Sequence, residues 1–538
     1  MMYDVLVAGM GPVGATAAAF AGRAGLRTMA VDPSEAVFPL PRATHFDAEV
    51  MRLFQSVGLA DTLNKVVATY DGGVHLGADG EPIRDFRVPA VPGPSGWFPH
   101  YTFIQPQVDQ ILRDAALGDP NVDGRLGWEV VATEQNADHV AVTISVPSGA
   151  TEVVTAKFVI ACDGASSPIR KSLGIDLIDY GFEEPWIIVD AIVPESAQLP
   201  NHSIMWCDPK RPGTYIPQPG RHRRWEFMLL ADESPETMAS RAVIEQLLRS
   251  SVDPDGVEIV RSAVYRFHGL IASQWRNGRI FLAGDAAHQT PPFYGQGMCH
   301  GIRDVSNLVW KLRLALDDPD MDPLLDSYAQ ERHPHVKTVI DASVENGRYI
   351  CILDPVEAHE RDTRLRARMA AGQDVRSFRS VIPGIVAGIA LPADDTNENG
   401  QLMIQPEVET VDGRVQLMDE VLGSGFRLIT RSQVTDPASA SWFDTALSGV
   451  IVSLDDSGIA RTAEAAAHGG PGPDETEPMG HSLFVDHSGE ILKWFDKHEA
   501  TAVLVRPDHY IFGVAEGEDG AERLLRSLRE AIGSAGSK

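Results

Sequence analysis

The residues with most chemistry to offer fall into three short stretches of a 538-residue chain. The first is Gly9-Met10-Gly11-Pro12-Val13-Gly14. Gly9 can make a tight turn, Gly11 can admit a pyrophosphate against bare backbone, and Gly14 lets helix and strand pack closely. Pro12 and Val13 complete that ligand-facing turn, and Asp32, ending the next apolar run, can bind a ribose hydroxyl. The second stretch, Asp163-Gly164 with Ser167 and Arg170 beyond it, offers a recess of phosphate size. The third, Arg279 to Met298, ends an apolar run on Gly284-Asp285 and stiffens at Pro291-Pro292. It reopens at Gly295 and Gly297, just before Met298, where glycines let free N–H groups approach an electron-rich atom. One extended nucleotide touched by all three stretches accounts for their recurrence.

Strands and helices must bring these stretches together. Asp4–Ala8, a helix to about Ala24 and Thr28–Val31 read as a βαβ unit, so the glycines sit in the context a dinucleotide fingerprint requires. Phe158–Ala161 and Ile280–Ala283 are further short apolar runs suited to buried strands. Helical patterns cover Glu49–Leu59, Gln107–Ala116 and a long stretch from Met298 through Ile302, Val305, Leu308 and Leu312. Residues 185–230 alternate as an inserted β-sheet that would wall a substrate pocket. Residues 325–350 and 356–371 are helical, Pro392–Gly400 is a turn-rich linker, and strands and helices alternate from Gln401 onward. The division expected is 1–180 and 276–392 for a two-part nucleotide-binding domain, 181–275 for the sheet domain and 401–538 for a small α/β domain.

Composition excludes several classes. With 43% hydrophobic and 22% charged residues the chain is globular in composition, and its net charge of −29 disfavours nucleic acid or an anionic membrane as partner. Cys162, Cys207, Cys299 and Cys351 are far apart, which suits buried thiols in a reducing compartment and no metal site. The sequence starts directly in a strand pattern and its apolar run from Val381 to Leu391 is short, so a cytoplasmic protein is expected.

These residues resemble the class A flavoprotein aromatic hydroxylases, whose three signatures match Gly9/Gly11/Gly14, Asp163/Gly164/Ser167/Arg170 and Gly284/Asp285. Longer runs, from Pro41 (PRATHFDAEVMRLFQSVGL), Gly284 and Arg223, are similar to the hydroxyphenylpropionate hydroxylase branch, and Trp494 onward resembles a thioredoxin-like extension. The resemblance implies an α/β fold: a Rossmann-like FAD domain of the GR2 type, an inserted β-sheet substrate domain and a thioredoxin-like C-terminal domain. FAD would be held by the three stretches with Arg42 and Gln105, NADH or NADPH would reduce it, and O2 would supply the oxygen. Pro168 departs from the usual β-branched residue in the second signature.

The implied reaction is ring hydroxylation of a phenol, 3-(3-hydroxyphenyl)propionate-like, through a flavin C4a-hydroperoxide. N–H groups at Gly295, Gly297 and Met298 would stabilise charge at the flavin edge, and Pro292, Phe293 and Tyr294 would shape and dry the site. A partner is wanted for the phenol, with Tyr215, His100 and Tyr101 as alternatives, and an inward arginine such as Arg224 could fix a carboxylate. Trp206 and His202 are further candidates, and His288 is assigned to loop structure. Other phenols, resorcinols, hydroxypyridines or polyketides remain open as substrates and a homodimer as assembly. A nicotinamide dehydrogenase or a non-catalytic flavin protein are the remaining alternatives.

Overall fold

The structure is a computed structural model that describes residues 2–373, 381–393, 397–462 and 482–534. The chain forms two compact units, one of residues 1–91, 98–305 and 336–382, the other of 92–97, 306–335 and 383–538. In the first unit, strands Met2–Ala8, Thr28–Asp32, Thr151–Ala161, Ile280–Leu282 and Val122–Leu126 run parallel in one sheet. Val5–Ala8 and Thr28–Asp32 are buried on both faces, as strands of a parallel sheet must be. Helix Pro12–Arg23 supplies the crossover, with eight of its residues buried and alanine prominent among them.

The same unit holds a second, mixed sheet of eight strands. Leu177–Ile192 pairs with Glu258–Ala272 on one side and His222–Met228 on the other, followed by Gly213–Pro217 and Ser203–Trp206. The sheet extends beyond the expected insertion, because Gly73–Leu76 and Pro82–Asp85, from the turn-rich N-terminal stretch, add two more strands. One face carries Tyr215, Trp225 and Phe227 into an apolar core. Side chains of the opposite face alternate with these, a parity that decides which candidates can reach a ligand.

The second unit is built on another eight-stranded sheet. Arg427–Thr430 runs parallel to Val450–Leu454 through helix Pro437–Leu447, and antiparallel to Ala502–Val505, which pairs with Ile511–Ala515. Helix Gly520–Ser534 follows, giving a thioredoxin-like arrangement in a segment without cysteine. Residues 306–335, expected with the nucleotide domain, group here around buried charges. Glu331 receives bonds from Lys311 Nζ (2.8 Å), Arg506 Nη2 (2.7 Å) and Asn307 Nδ2 (2.6 Å). The expected linker lies partly outside the described residues, at 394–396.

Burial alone would raise the carboxyl of Glu331, but Arg506 and Lys311 outweigh it and hold it well below the carboxylate range. A depressed carboxyl stabilises above its unfolded pKa and loses that contribution as pH falls through the folded value. Glu331→Gln should cost about 3–5 kcal/mol at neutral pH by leaving two buried cations undercompensated. Denaturant titration of both proteins from neutral to strongly acidic pH should show the gap narrowing as the wild-type carboxyl protonates.

Candidate active site

Strand pairing puts Ala8, Ala161 and Leu282 side by side, so the three motif-bearing turns leave one carboxyl edge of the sheet. This is where open parallel sheets bind nucleotides. Contacts between the turns are too close for side chains. A Cβ on Gly14 would stand 1.8 Å from the Gly9 carbonyl oxygen, and one on Gly9, at φ +94°, 2.4 Å from the Cys162 carbonyl oxygen. Val13 wedges against the third motif, since a Cβ on Gly284 would be 3.0 Å from it and one on Gly301 2.4 Å. Gly11, Gly164 and Gly297 differ, because a Cβ there would meet nothing within 4 Å.

Open space at Gly11 and Gly297 coincides with unspent donors. Gly11 caps helix Pro12–Arg23 without a side-chain acceptor, and Gly297 begins helix Gly297–Asp317, which has no acid in its first turn. First-turn N–H groups have no intrahelical acceptor, so both ends suit an anion or an electron-rich ring edge. Asp285 lies between them with its side chain exposed. Burial of its surroundings raises its carboxyl, while His288 and Arg42 pull it down. An open cradle with bare backbone, one reachable acid and the exposed Arg42, whose guanidinium stacks 5.0 Å from the Phe38 ring, fits a dinucleotide cofactor.

Several predicted ligands turn out to be struts. The Gln105 amide oxygen accepts from the N–H of Arg42 and of Ala43 (both 2.7 Å), and its nitrogen donates to Asp109 (3.1 Å), so it sets the Arg42 loop instead of reaching outward. Arg170 donates to the carbonyls of Ala286 (2.9 Å) and Ala165 (3.0 Å), tying the second motif to the third. Asp163 accepts from Ser167 Oγ (2.6 Å) and Ile169 N (3.0 Å). The departure at Pro168 is compatible with this turn, because Pro168 is the first residue of helix Pro168–Ser172, a position that needs no N–H donor. Asp32 accepts from Met10 N (2.6 Å) and Ser34 N (2.8 Å) and keeps only a small exposed edge.

The substrate-side expectations need two corrections. Tyr215 points into the apolar core, its ring on Trp225 and its hydroxyl donating to Pro200 O (3.0 Å). It pairs with Trp225 in the sheet, so strand parity turns it away from the motif edge, and Trp206 lies on that same core face. Arg224 points the right way but is spent. It donates to both oxygens of Asp190 (2.7 and 2.9 Å) and to the carbonyls of Arg42 (2.6 Å) and Pro41 (3.0 Å). Tyr101 stacks on Phe46, and its hydroxyl accepts from Phe98 N (3.0 Å).

Phe293, beside Pro292 in the short turn Pro292–Tyr294, meets the rings of Phe182, Trp186 and Phe267, which dries this side of the site. His100 Nδ1 lies 3.2 Å from His45 Nε2, and His45 Nδ1 lies 3.4 Å from Gly295 O. Burial, then His45, pushes His100 down to about 3, leaving it neutral at physiological pH. The sequence reading missed His45 and two charged anchors, Arg303 and Asp304. Arg303 bridges Asp47 (2.6 Å), Glu49 (2.7 Å) and Gln296 (2.9 Å), while Asp304 holds Gly284 N (3.1 Å) and His288 Nε2 (2.7 Å). Adjacent charges at 303 and 304 in an apolar helical pattern were the available signal.

This geometry agrees with the relatives of the chain. The chain belongs to the FAD binding domain family, matched over residues 2–343, and residues 400–531 match the HcaD C-terminal domain. It is a flavoprotein monooxygenase of aromatic rings that uses FAD, a nicotinamide donor and O2. It is 34% identical over 523 residues to a 3-(3-hydroxy-phenyl)propionate/3-hydroxycinnamic acid hydroxylase of Burkholderia cenocepacia, covering 94% of this chain and 93% of the relative. It is 31% identical to a probable NADH-specific resorcinol 4-hydroxylase of Rhodococcus jostii, covering 98% and 95%. In fold it is similar to the flavin-dependent monooxygenase PieE solved with FAD and substrate (TM-score 0.79, 21% identity, 99% of each chain). Aklavinone-11 hydroxylase is similar too (TM-score 0.76, 21% identity, 98% of this chain and 99% of that one).

The glycines separate fold from binding. Gly14→Ala should destabilise by more than the roughly 1–3 kcal/mol usual for overpacking, because backbone faces backbone. Gly11→Ala should keep the apoprotein's Tm yet retain less FAD, measured as flavin per chain after purification. Arg224→Ala should lower stability by about 3–5 kcal/mol by stranding the Asp190 charge, read by denaturant unfolding.

Proposed function

We propose that this chain hydroxylates a phenol carrying a meta substituent, of the hydroxyphenylpropionate or resorcinol kind, at the edge where its three glycine-acid motifs meet. The observation that carries this reading is the common carboxyl edge of Met2–Ala8, Thr151–Ala161 and Ile280–Leu282, with open backbone at Gly11 and Gly297. In this reading Gly9 to Gly14 receive the pyrophosphate, Asp32 a ribose hydroxyl and Asp285 the ribityl chain. Arg42 lies along the phosphates, and Gly164 brings backbone near them, held by Asp163 and Arg170. Bound FAD would supply the hydride-accepting and oxygen-transfer chemistry. The N–H groups of Gly297 and Met298 would stabilise negative charge at the flavin's edge by preorganised electrostatics, whereas the N–H of Gly295, expected to join them, donates to Pro292 O (2.8 Å) and closes the turn.

Pro292 and Phe293 cover the reacting side and exclude water, which keeps oxidation coupled to product. His100, neutral and linked through His45 to the Gly295 carbonyl, is the group that in this reading exchanges a proton with the phenol. The expected division into 1–180 with 276–392, 181–275 and 401–538 belongs to this reading, except that residues 306–335 group in the second compact unit. Free thiols support a cytoplasmic setting, and light scattering tests the expected homodimer.

Purified holoenzyme should oxidise NADH or NADPH faster when resorcinol or 3-(3-hydroxyphenyl)propionate is added, with one oxygen atom gained by the ring in mass spectra. Donor oxidation unaffected by either phenol and by a wider phenol panel would overturn the reading.

A further inference from the structure

Strand parity locates one acid that no role above absorbs. On His222–Met228, residues 224, 226 and 228 share the face opposite the Trp225 core. Arg224 at one end binds the carbonyls of Pro41 and Arg42, which belong to the loop beside Asp285. Met228 at the other end packs in the apolar cluster against which Phe293 lies, with Trp186 opposite it in register. Glu226 is therefore bracketed between the loop bearing Arg42 and the turn bearing Phe293, beside Ile188 and Thr214 on neighbouring strands.

The side chain of Glu226 is only 9% exposed, and no hydrogen bond to its carboxyl is found among the described residues. Its one cation among the described residues, Arg224, stands 3.8 Å away at Nη1, which donates to the Arg42 carbonyl while Nε and Nη2 donate to Asp190. A largely buried carboxylate without a hydrogen bond is costly, and a water, an ion or a ligand hydroxyl can complete it. Burial raises this carboxyl to about 7, with Arg224 pulling it down and Asp190 pushing it up.

We propose that Glu226 is the substrate's hydroxyl subsite, its carboxylate accepting a hydrogen bond from an aromatic O–H held between the Arg42 loop and Phe293. The subsite rests on the proposed phenol hydroxylation and sharpens it. An anionic acceptor favours a neutral hydroxyl and repels a carboxylate, so any acidic substituent on the ring must point away from this strand. It also places negative charge near the phenolic oxygen, favouring electron release into the ring.

The test is a titration of oxidised holoenzyme, following the flavin absorbance change with resorcinol, 3-(3-hydroxyphenyl)propionate and, as a ring without O–H, 1,3-dimethoxybenzene. Glu226→Gln keeps size and an oxygen acceptor but removes charge, so it should weaken the two phenols by about 10-fold and leave the ether unchanged. Glu226→Met, which removes the acceptor, should weaken them about 100-fold. Wild-type affinity for resorcinol should fall as pH drops through about 7, with Arg224 and Asp190 the charged neighbours facing the group, and the Gln variant should lose that dependence. Both variants should keep FAD content and a Tm at or above wild type, since no hydrogen bond is lost, only a long 3.8 Å pair with an arginine already held by Asp190. Unchanged phenol affinity in both variants overturns the subsite and leaves phenol hydroxylation standing. A fall in Tm, with phenols and ether weakened alike, overturns it too, by making Glu226 a structural ion-pair partner. A wild-type holoenzyme that binds and turns over no phenol overturns both readings.

Discussion

Backbone crowding at the carboxyl ends of three parallel strands is the constraint on which everything else depends. Gly9, Gly14 and the Cys162 carbonyl approach so closely that the first and second motifs can meet only where no side chain intervenes. Val13 then closes the space to Gly284 and Gly301. Once these positions are fixed, the bare backbone at Gly11, Gly164 and Gly297 is left facing outward, and the site is a by-product of how tightly the rest is packed. The glycines thus divide into those that permit packing and those that leave room for a ligand.

Around that edge the protein uses buried charges as fasteners. Arg170 joins the second motif to the third, Asp304 joins the third to the helix behind it, and Arg303 joins that helix to Asp47 and Glu49. Arg224, with Asp190, fixes the Pro41–Arg42 carbonyls from the neighbouring sheet. Each such pair gains little net stability over an apolar substitute, but removing one partner strands the other in a dry interior. The return is positional: loops that would otherwise move are held at defined distances from the cofactor edge. Glu226 is set apart because Arg224 reaches it only at 3.8 Å and no hydrogen bond among the described residues holds its carboxyl.

Much of this was legible in the sequence. Local periodicity and glycine spacing located the βαβ unit, the inserted sheet, the helix after Gly297 and the C-terminal α/β region, because these depend on nearby residues. What escaped depends on partners far along the chain. Tyr215 and Arg224 sit one strand apart in the sheet and nine residues apart in sequence, yet face opposite sides, and only the register against Trp225 and Asp190 decides which is which. Gln105 and Arg170 carry polar groups that look ready for a ligand until Arg42, Ala43 and Ala286 are seen to occupy them. Strands Gly73–Leu76 and Pro82–Asp85 are short runs between turns, and their place in the sheet depends on strands that come mostly later in the chain.

The convergence of the three motifs on one cofactor can be measured directly by amide hydrogen exchange on the apoprotein with and without FAD. Peptides covering residues 9–14, 163–170 and 284–298 should gain protection together, at the same FAD concentration. Protection confined to residues 9–14, with the other two unchanged at saturating FAD, would contradict a shared site.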